Sequence, residues 1–168
     1  HYQSYLREMN LRRGPASWFA RWQLHRIRGW DQRSSVAVDQ FIANSQFVAR
    51  RIAKFYGRDC AVIAPPVDTQ LFSLVPEKED FYVCAGRFVP FKRIGLVAEA
   101  FAAMPSKKLV LIGDGPEMEK IKSKAGPNCV FTGFLPPDQV YGYLSRARAF
   151  IFPSEEDFGI VPVEAQAC

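Results

Sequence analysis

The sequence is poor in residues that hold metals or disulfides: four cysteines and two histidines in 168 residues. Cys60, Cys84, Cys129 and Cys168 are far apart, and no pair has metal-ligand spacing. His1 and His25 are too few and too distant to anchor a metal. Three of the cysteines lie in or beside apolar runs, where a free thiol behaves as a small buried hydrophobe. This usage points to a reducing, cytosolic compartment. No apolar run approaches the roughly 20 residues of a spanning helix. The first apolar stretch is broken by arginines, which is not the pattern of a secretory signal. Neither a GxGxxG nor a Walker-type loop occurs, so hydride transfer on a dinucleotide and P-loop hydrolysis both lose support.

What is present suits a globular protein. Hydrophobic residues make up 48% and aromatics 14%, enough for a normal core in one domain or slightly more. The net charge is +5, and it is localised. Residues 1–33 hold seven Arg, one Glu and one Asp, so the remaining residues are neutral in sum. The basic character belongs to the N-terminal segment and not to the body. The start at His1 and the helical pattern running into Cys168 read as a piece of a longer protein.

In residues 1–35, Gly14-Pro15 interrupts the pattern. After it, Trp18, Trp22, His25 and Gly29 fall on one side at helical spacing. Phe19, Leu24, Ile27 and Trp30 widen that face, while Arg21, Arg26 and Arg28 interrupt it. Two readings stand. One is a helix or lid packed on a part of the protein outside this chain. The other is an interfacial helix whose Trp and Arg meet an anionic membrane. No nucleic-acid-binding motif accompanies the basic patch.

From residue 36 onward, strand and helix patterns alternate. Strands are predicted at Val38–Ala43, Cys60–Ala64, Phe81–Ala85, Leu109–Ile112, Val130–Thr132 and Ala149–Phe152. Asn44-Ser45 caps a helix with Val48, Ile52 and Phe55 inward, and Gly57 ends it. Ile94, Val97, Ala98 and Phe101 share the face of another helix. Pro136-Pro137-Asp138 starts a third, with Val140 and Leu144 inward. This alternation predicts an α/β, Rossmann-like parallel sheet with helices on both faces. Ligands on such sheets bind at the C-terminal ends of the strands.

Three loops follow strands directly and so can share that edge: Gly86–Lys92, Gly113–Pro116 and Pro153–Gly159. Arg87 and Lys92, one a planar fork and the other a point charge, suit a diphosphate. Taken alone, they read first as ordinary surface cations. Gly113-Asp114-Gly115-Pro116 is either a phosphate-approaching turn or a tight strand-to-helix turn. Pro153–Cys168 reads as loop and helix start after a strand, with Gly159 at the start, the geometry that holds a phosphate at a helix N-terminus. Glu156 and Glu164 flank that start, although their spacing carries little in a chain with nine Glu.

Six segments in order carry a resemblance. They are the Ala43-Asn44-Ser45 helix start, IAPPVDTQLF at 63–72, GRFVPFK at 86–92, LVLIGDGPEMEKI at 109–121, VFTGFL at 130–135 and FPSEEDFGIVPVEAQA at 152–167. Across about residues 36–168 the chain resembles the C-terminal, donor-binding half of a retaining GT-B glycosyltransferase of family 4. The N-terminal segment resembles the Arg- and Trp-rich stretch preceding this domain in bacterial mannosyltransferase-like members. The resemblance implies a basic helical segment at 1–35 from the preceding domain or linker and a nucleotide-sugar-binding domain at 36–168. It implies transfer of a hexose, mannose from GDP-mannose, to a saccharide or lipid-linked acceptor in surface polysaccharide or lipopolysaccharide synthesis. The setting implied is cytoplasmic, on the inner face of the plasma membrane where residues 1–33 touch it.

The resemblance also implies roles. Gly86 lets the backbone approach the diphosphate, while Arg87 and Lys92 bind it and stabilise the leaving group. Glu156, the first Glu of the EX7E pattern, contacts sugar hydroxyls. Phe158, Gly159 and Ile160 present backbone N–H groups to phosphate or sugar. Glu164 takes the ribose hydroxyls, Leu135 lies by the base, and Asp114 stands near the donor. No cofactor is expected, and the lack of a DxD-like cluster agrees with an enzyme of this class that uses no metal. The alternatives are a sugar-nucleotide epimerase or phosphorylase, or a non-catalytic nucleotide-sugar-binding module on the same fold. The acceptor-binding half lies outside this chain, so the isolated 168 residues are expected to keep part of the nucleotide site without catalysing transfer. Measurable turnover by the isolated chain contradicts that expectation.

Overall fold

A computed structural model of the chain describes residues 14–168. The chain divides into two compact units, His1–Ala64 and Pro65–Cys168. The first contains α1 (Pro15–Ser35), β1 (Phe41–Ala43), α2 (Gln46–Tyr56) and β2 (Cys60–Val62). Pro15 opens α1, where a missing N–H costs nothing. β1 and β2 pair in parallel, with Phe41 opposite Cys60 and Ala43 opposite Val62. The Ser45 hydroxyl accepts from the Val48 N–H at 3.1 Å and caps α2, a contact worth about 1 kcal/mol.

The inward face of α2 differs from its pattern. Ile52 is buried, but Phe55 is 56% exposed. Tyr56, one helical turn after Ile52, faces inward in its place. It stacks on Phe41 with ring centroids 5.3 Å apart, and its hydroxyl donates to Asp31 at 2.8 Å. That hydrogen bond pushes the phenol pKa up and ties α2 to α1. The basic composition ends near residue 35, yet the strands and helix that follow belong with α1 up to Ala64. On α1, Trp18, Phe19, Trp22, Ile27 and Trp30 are all exposed, and the Arg26 guanidinium lies 5.1 Å from the Trp22 ring centre. Among the described residues, no helix is long and apolar enough to cross a membrane.

The second unit contains β3 (Glu79–Ala85), α3 (Ile94–Ala102), β4 (Lys108–Ile112), α4 (Met118–Lys122), β5 (Cys129–Gly133), α5 (Pro137–Arg146), β6 (Ala147–Phe150) and α6 (Ile160–Ala167). Its four strands form a parallel sheet in the order β5-β4-β3-β6. Among the described residues, the six strands thus form two parallel sheets, not one. The reason lies between β2 and β3. Parallel neighbours need a long crossover, usually helical, and this stretch supplies Pro65-Pro66 and a short 3₁₀ turn, Thr69–Leu71.

Both faces of the larger sheet are covered. Cys84, Leu109 and Leu111 pack on one side with Val97, Ala98 and Phe101 of α3 and Ile121 of α4. Val83, Val110 and Ile112 pack on the other with Phe72, Leu144 of α5 and Ala147. Consecutive strand residues point to opposite faces, which is why Leu109–Ile112 is apolar throughout and wholly buried. Each fully buried Leu or Phe contributes about 1.5–3 kcal/mol. α5 runs into β6 without a loop, so that strand begins at Ala147, two residues earlier than its pattern predicts.

At the C-terminal edge, the loops after β3 and β4 interlock. Gly86 N–H donates to Ile112 O at 3.0 Å and Phe88 N–H to Asp114 O at 2.9 Å. Glu117 N–H returns a bond to Phe88 O at 3.1 Å, and the Phe88 ring is fully buried. A Cβ on Gly113 would stand 2.0 Å from Gly86 O, and Gly113 has φ +131°. A Cβ on Gly115 would stand 2.5 Å from Phe88 O. These glycines therefore let two backbones touch, and the Gly113–Pro116 loop serves its neighbour. Pro116 belongs to that turn, since α4 begins only at Met118. Gly113→Ala is expected to destabilise the fold by about 2 kcal/mol or more. Chemical denaturation checks this: the midpoint should fall with an unchanged slope.

Candidate functional site

The strand ends enclose a cavity of about 500 Å³. Its floor is Ala85, Gly86 and Arg87 after β3 with Ile112, Gly113 and Asp114 after β4. Its wall is Phe134 and Leu135 after β5, Val140 of α5 and Val161 of α6. Gly86, Arg87, Asp114 and Leu135, four residues singled out in the sequence, thus share one cavity. Arg87 and Asp114, both exposed, carry opposite charges there, whereas the wall is apolar. A concave site of this kind suits a ligand with a flat apolar part and an anionic part. Phe134, Val140 and Val161 were not anticipated as lining. Val161 directly follows Ile160 at the helix start, so its position was the signal available.

Lys92 and Glu156 form a second cluster. Lys92 ends the 3₁₀ turn Pro90–Lys92, and Glu156 lies in the loop after β6. The Lys92 ammonium donates to Glu156 Oε1, and both side chains are three-quarters buried. The Ser154 hydroxyl donates to the same oxygen at 3.2 Å. Ser154 was missed because a serine before two glutamates carries no pattern of its own. The chain leaves the 3₁₀ turn through Arg93, which has φ +54° although it has a side chain. A left-handed conformation at a non-glycine residue costs about 1 kcal/mol or more, and here it turns the chain from Lys92 into α3. The ammonium also reaches the core electrostatically. Burial pushes the Cys84 thiol up to about 12, and the Lys92 charge partly offsets this. Cys84 is therefore a neutral core residue at physiological pH.

Gly159 caps α6 in a left-handed conformation, φ 85°. Phe158 and Gly159 are half-buried and Ile160 is exposed. None of the three lines the cavity, but Val161 in the next position does. Glu164 is one turn beyond Val161 and on the same side of the helix. It is half-buried, and desolvation pushes its pKa up. Among the described residues, no group of three His, Cys, Asp or Glu could hold a metal ion.

The profile of the family described as glycosyl transferases group 1 matches residues 68–168. The chain belongs to the glycosyl transferases group 1 family. The match covers nearly all of the second unit, including the cavity and the Lys92–Glu156 pair. Among individual relatives, a D-inositol 3-phosphate glycosyltransferase of Mycobacterium tuberculosis is 29% identical over 158 residues, with 78% of this chain and 32% of the relative covered. Among solved structures, AviGT4, a glycosyltransferase involved in avilamycin A biosynthesis, has TM-score 0.61 at 25% identity over 75% of this chain and 42% of its own. Anabaena HepE, solved with UDP and glucose, has TM-score 0.66 at 22% identity over 78% and 42%, a likeness of fold. The chain spans about a third of the length of the curated relatives it matches.

The raised pKa of Glu164 has a signed consequence for this group 1 chain. Burial disfavours the ionised carboxylate in the fold relative to the unfolded chain. The penalty is full above the folded pKa, where both states are ionised. It vanishes below the unfolded pKa, where both are protonated. Glu164→Gln is therefore expected to raise the melting temperature at pH 7. The gain should shrink as pH falls into the ordinary carboxylate range, near about 4.3. Thermal unfolding of both proteins across that range checks the sign; a gain that grows in acid contradicts it.

Proposed function

We propose that this chain carries the donor-binding part of a retaining glycosyltransferase. The protein moves a hexose from a nucleotide sugar to a saccharide or lipid-linked acceptor. One observation carries the reading: a largely apolar cavity with Arg87 in its lining, at the C-terminal edge of a parallel sheet, within the region that matches the group 1 family. Crevices at that edge are where such sheets bind nucleotides.

In this reading the base lies against Leu135 and the apolar wall, the diphosphate lies over Gly86, and Asp114 stands near the donor. Arg87 and Lys92 offset the charge that grows on the diphosphate as the C1–O bond breaks. Cations already in position need no reorganisation at that moment, so their effect falls on the transition state. Glu156 receives sugar hydroxyls and Glu164 the ribose hydroxyls. The N–H groups of Phe158, Gly159 and Ile160 face phosphate or sugar at the start of α6. The acceptor hydroxyl enters on the face the diphosphate leaves, and the leaving oxygen takes its proton. Arg87 and Lys92 thereby provide the positive charge that a divalent metal provides in other transferases.

The donor proposed is GDP-mannose, supported by the N-terminal Arg/Trp segment and its mannosyltransferase-like resemblance. The setting proposed is the cytoplasmic face of a membrane, in surface polysaccharide or lipopolysaccharide synthesis. Exposed Trp18, Trp22 and Trp30 on a basic helix support that contact.

The test uses the full-length protein with a panel of nucleotide sugars and acceptors. Transfer with retained anomeric configuration is expected. A converted nucleotide sugar without any acceptor product overturns the reading in favour of an epimerase. Arg87→Ala combined with Lys92→Ala should lower kcat by about a hundredfold or more. Unchanged transfer removes both residues from the diphosphate.

A further inference from the structure

The two sides of α1 differ in character. The helix has 21 residues, about 30 Å at about 1.5 Å per residue. Its less exposed residues recur at helical spacing: Ser17 is buried, and Ala20, Leu24, Asp31 and Ser35 are half-buried. Asp31 accepts from the Tyr56 hydroxyl, so this side is turned toward α2. Leu24, grouped with the tryptophans by pattern, lies here instead. The opposite side carries Phe19, Trp22, Arg26, Trp30 and Arg33 at the same spacing, and all five are exposed. Trp18 flanks them and is 71% exposed. The Phe19 and Trp22 rings lie 5.8 Å apart, and the Arg26 guanidinium stands over Trp22. The three tryptophans of the chain thus sit on one helix and do not hold it to its own unit. They form an outward stripe with arginines set into it.

The arginines within that stripe limit what can cover it. A protein core laid on this face would strip water from Arg26 and Arg33. The only acidic residue of α1, Asp31, lies on the other side and cannot pair with them. The headgroup layer of a bilayer accommodates both kinds of side chain. Aromatic rings enter the boundary of the apolar region, while guanidinium groups reach the phosphates along their aliphatic stems. Arg21, Arg26, Arg28 and Arg33 stand against the single Asp31, which complements an anionic surface. No described helix is long and apolar enough to cross a membrane, so the contact lies in the plane of the surface. We propose that α1 is an in-plane docking helix for anionic phospholipid. Phe19, Trp22 and Trp30 insert at the headgroup boundary, and the arginines read the charge of the lipid phosphates. The proposal rests on the membrane setting given under the proposed function. It adds the face that makes the contact and the class of lipid that the face selects.

Co-sedimentation of the full-length protein with vesicles tests this. Binding is expected on phosphatidylcholine vesicles that contain about a third phosphatidylglycerol, and about tenfold weaker binding or less on phosphatidylcholine alone. Trp22→Ala combined with Trp30→Ala should weaken binding to the anionic vesicles about tenfold or more. The melting temperature without vesicles should stay unchanged, because both rings are exposed. Arg26→Gln combined with Arg33→Gln should remove most of the preference for phosphatidylglycerol, and added salt should do the same to the wild-type protein. Equal binding to both kinds of vesicle, or binding to neither, overturns the proposal. So does unchanged vesicle binding by the tryptophan variant. A fall of several degrees in that variant's melting temperature also overturns it, since the rest of the protein then covers the face. Binding to a DNA or RNA duplex in place of vesicles overturns it in favour of nucleic acid. If the full-length protein transfers sugar but binds no vesicles, this inference falls alone. If it docks on anionic vesicles and transfers nothing, the glycosyltransferase reading falls and the docking surface stands.

Discussion

The candidate site depends on one close approach: the backbone of Gly113 against the carbonyl of Gly86. No side chain fits between them, since a Cβ there would lie 2.0 Å from the oxygen. This contact brings the ends of β3 and β4 level and lets Phe88 exchange backbone hydrogen bonds with Asp114 and Glu117. Arg87 is held between the two anchored residues, Gly86 and Phe88. Its main chain is set by these backbone hydrogen bonds and by a buried aromatic ring, while its side chain stays exposed at the cavity.

The second cation is held by a different device. Lys92 sits beyond a 3₁₀ turn and before Arg93, whose left-handed backbone starts α3. Its ammonium is anchored by Glu156 from the loop after β6. That loop is long and irregular, and its far end is α6, whose first turn closes the cavity through Val161. The ion pair therefore joins the β3 side of the edge to the β6 side. Partly buried pairs of this kind contribute modestly to stability and strongly to geometry. Here the geometry is that of two loops that share no hydrogen-bonded backbone ladder.

Much of this was legible from residue patterns, for physical reasons. Strands covered on both faces read as continuous apolar runs, and Leu109–Ile112 is one. The face Ile94, Val97, Ala98 and Phe101 follows helical periodicity and is buried throughout. Ser45 and Gly57 carry the chemistry of helix ends. Other features were not legible. Phe55 and Tyr56 are adjacent aromatics at the end of α2, and the choice between them depends on Asp31 and Phe41, distant in sequence. The separation of the strands into two sheets depends on the absence of a crossover helix, not on any strand. The role of Gly113 was ambiguous because a loop that approaches phosphate and a loop that approaches backbone need the same residue. The Lys92–Glu156 pair joins positions far apart in the chain, and no spacing rule describes it.

The central claim is that the sugar donor binds at the shared edge of these strands, with its diphosphate between Arg87 and Lys92. A crystal structure of the full-length protein with a bound nucleotide sugar tests it most directly. The account predicts the diphosphate within hydrogen-bond distance of Arg87 and Lys92, and the base against Leu135 in the cavity that Gly86 and Asp114 floor. A donor bound elsewhere, with Lys92 and Glu156 still paired and the cavity filled only by water, would contradict it.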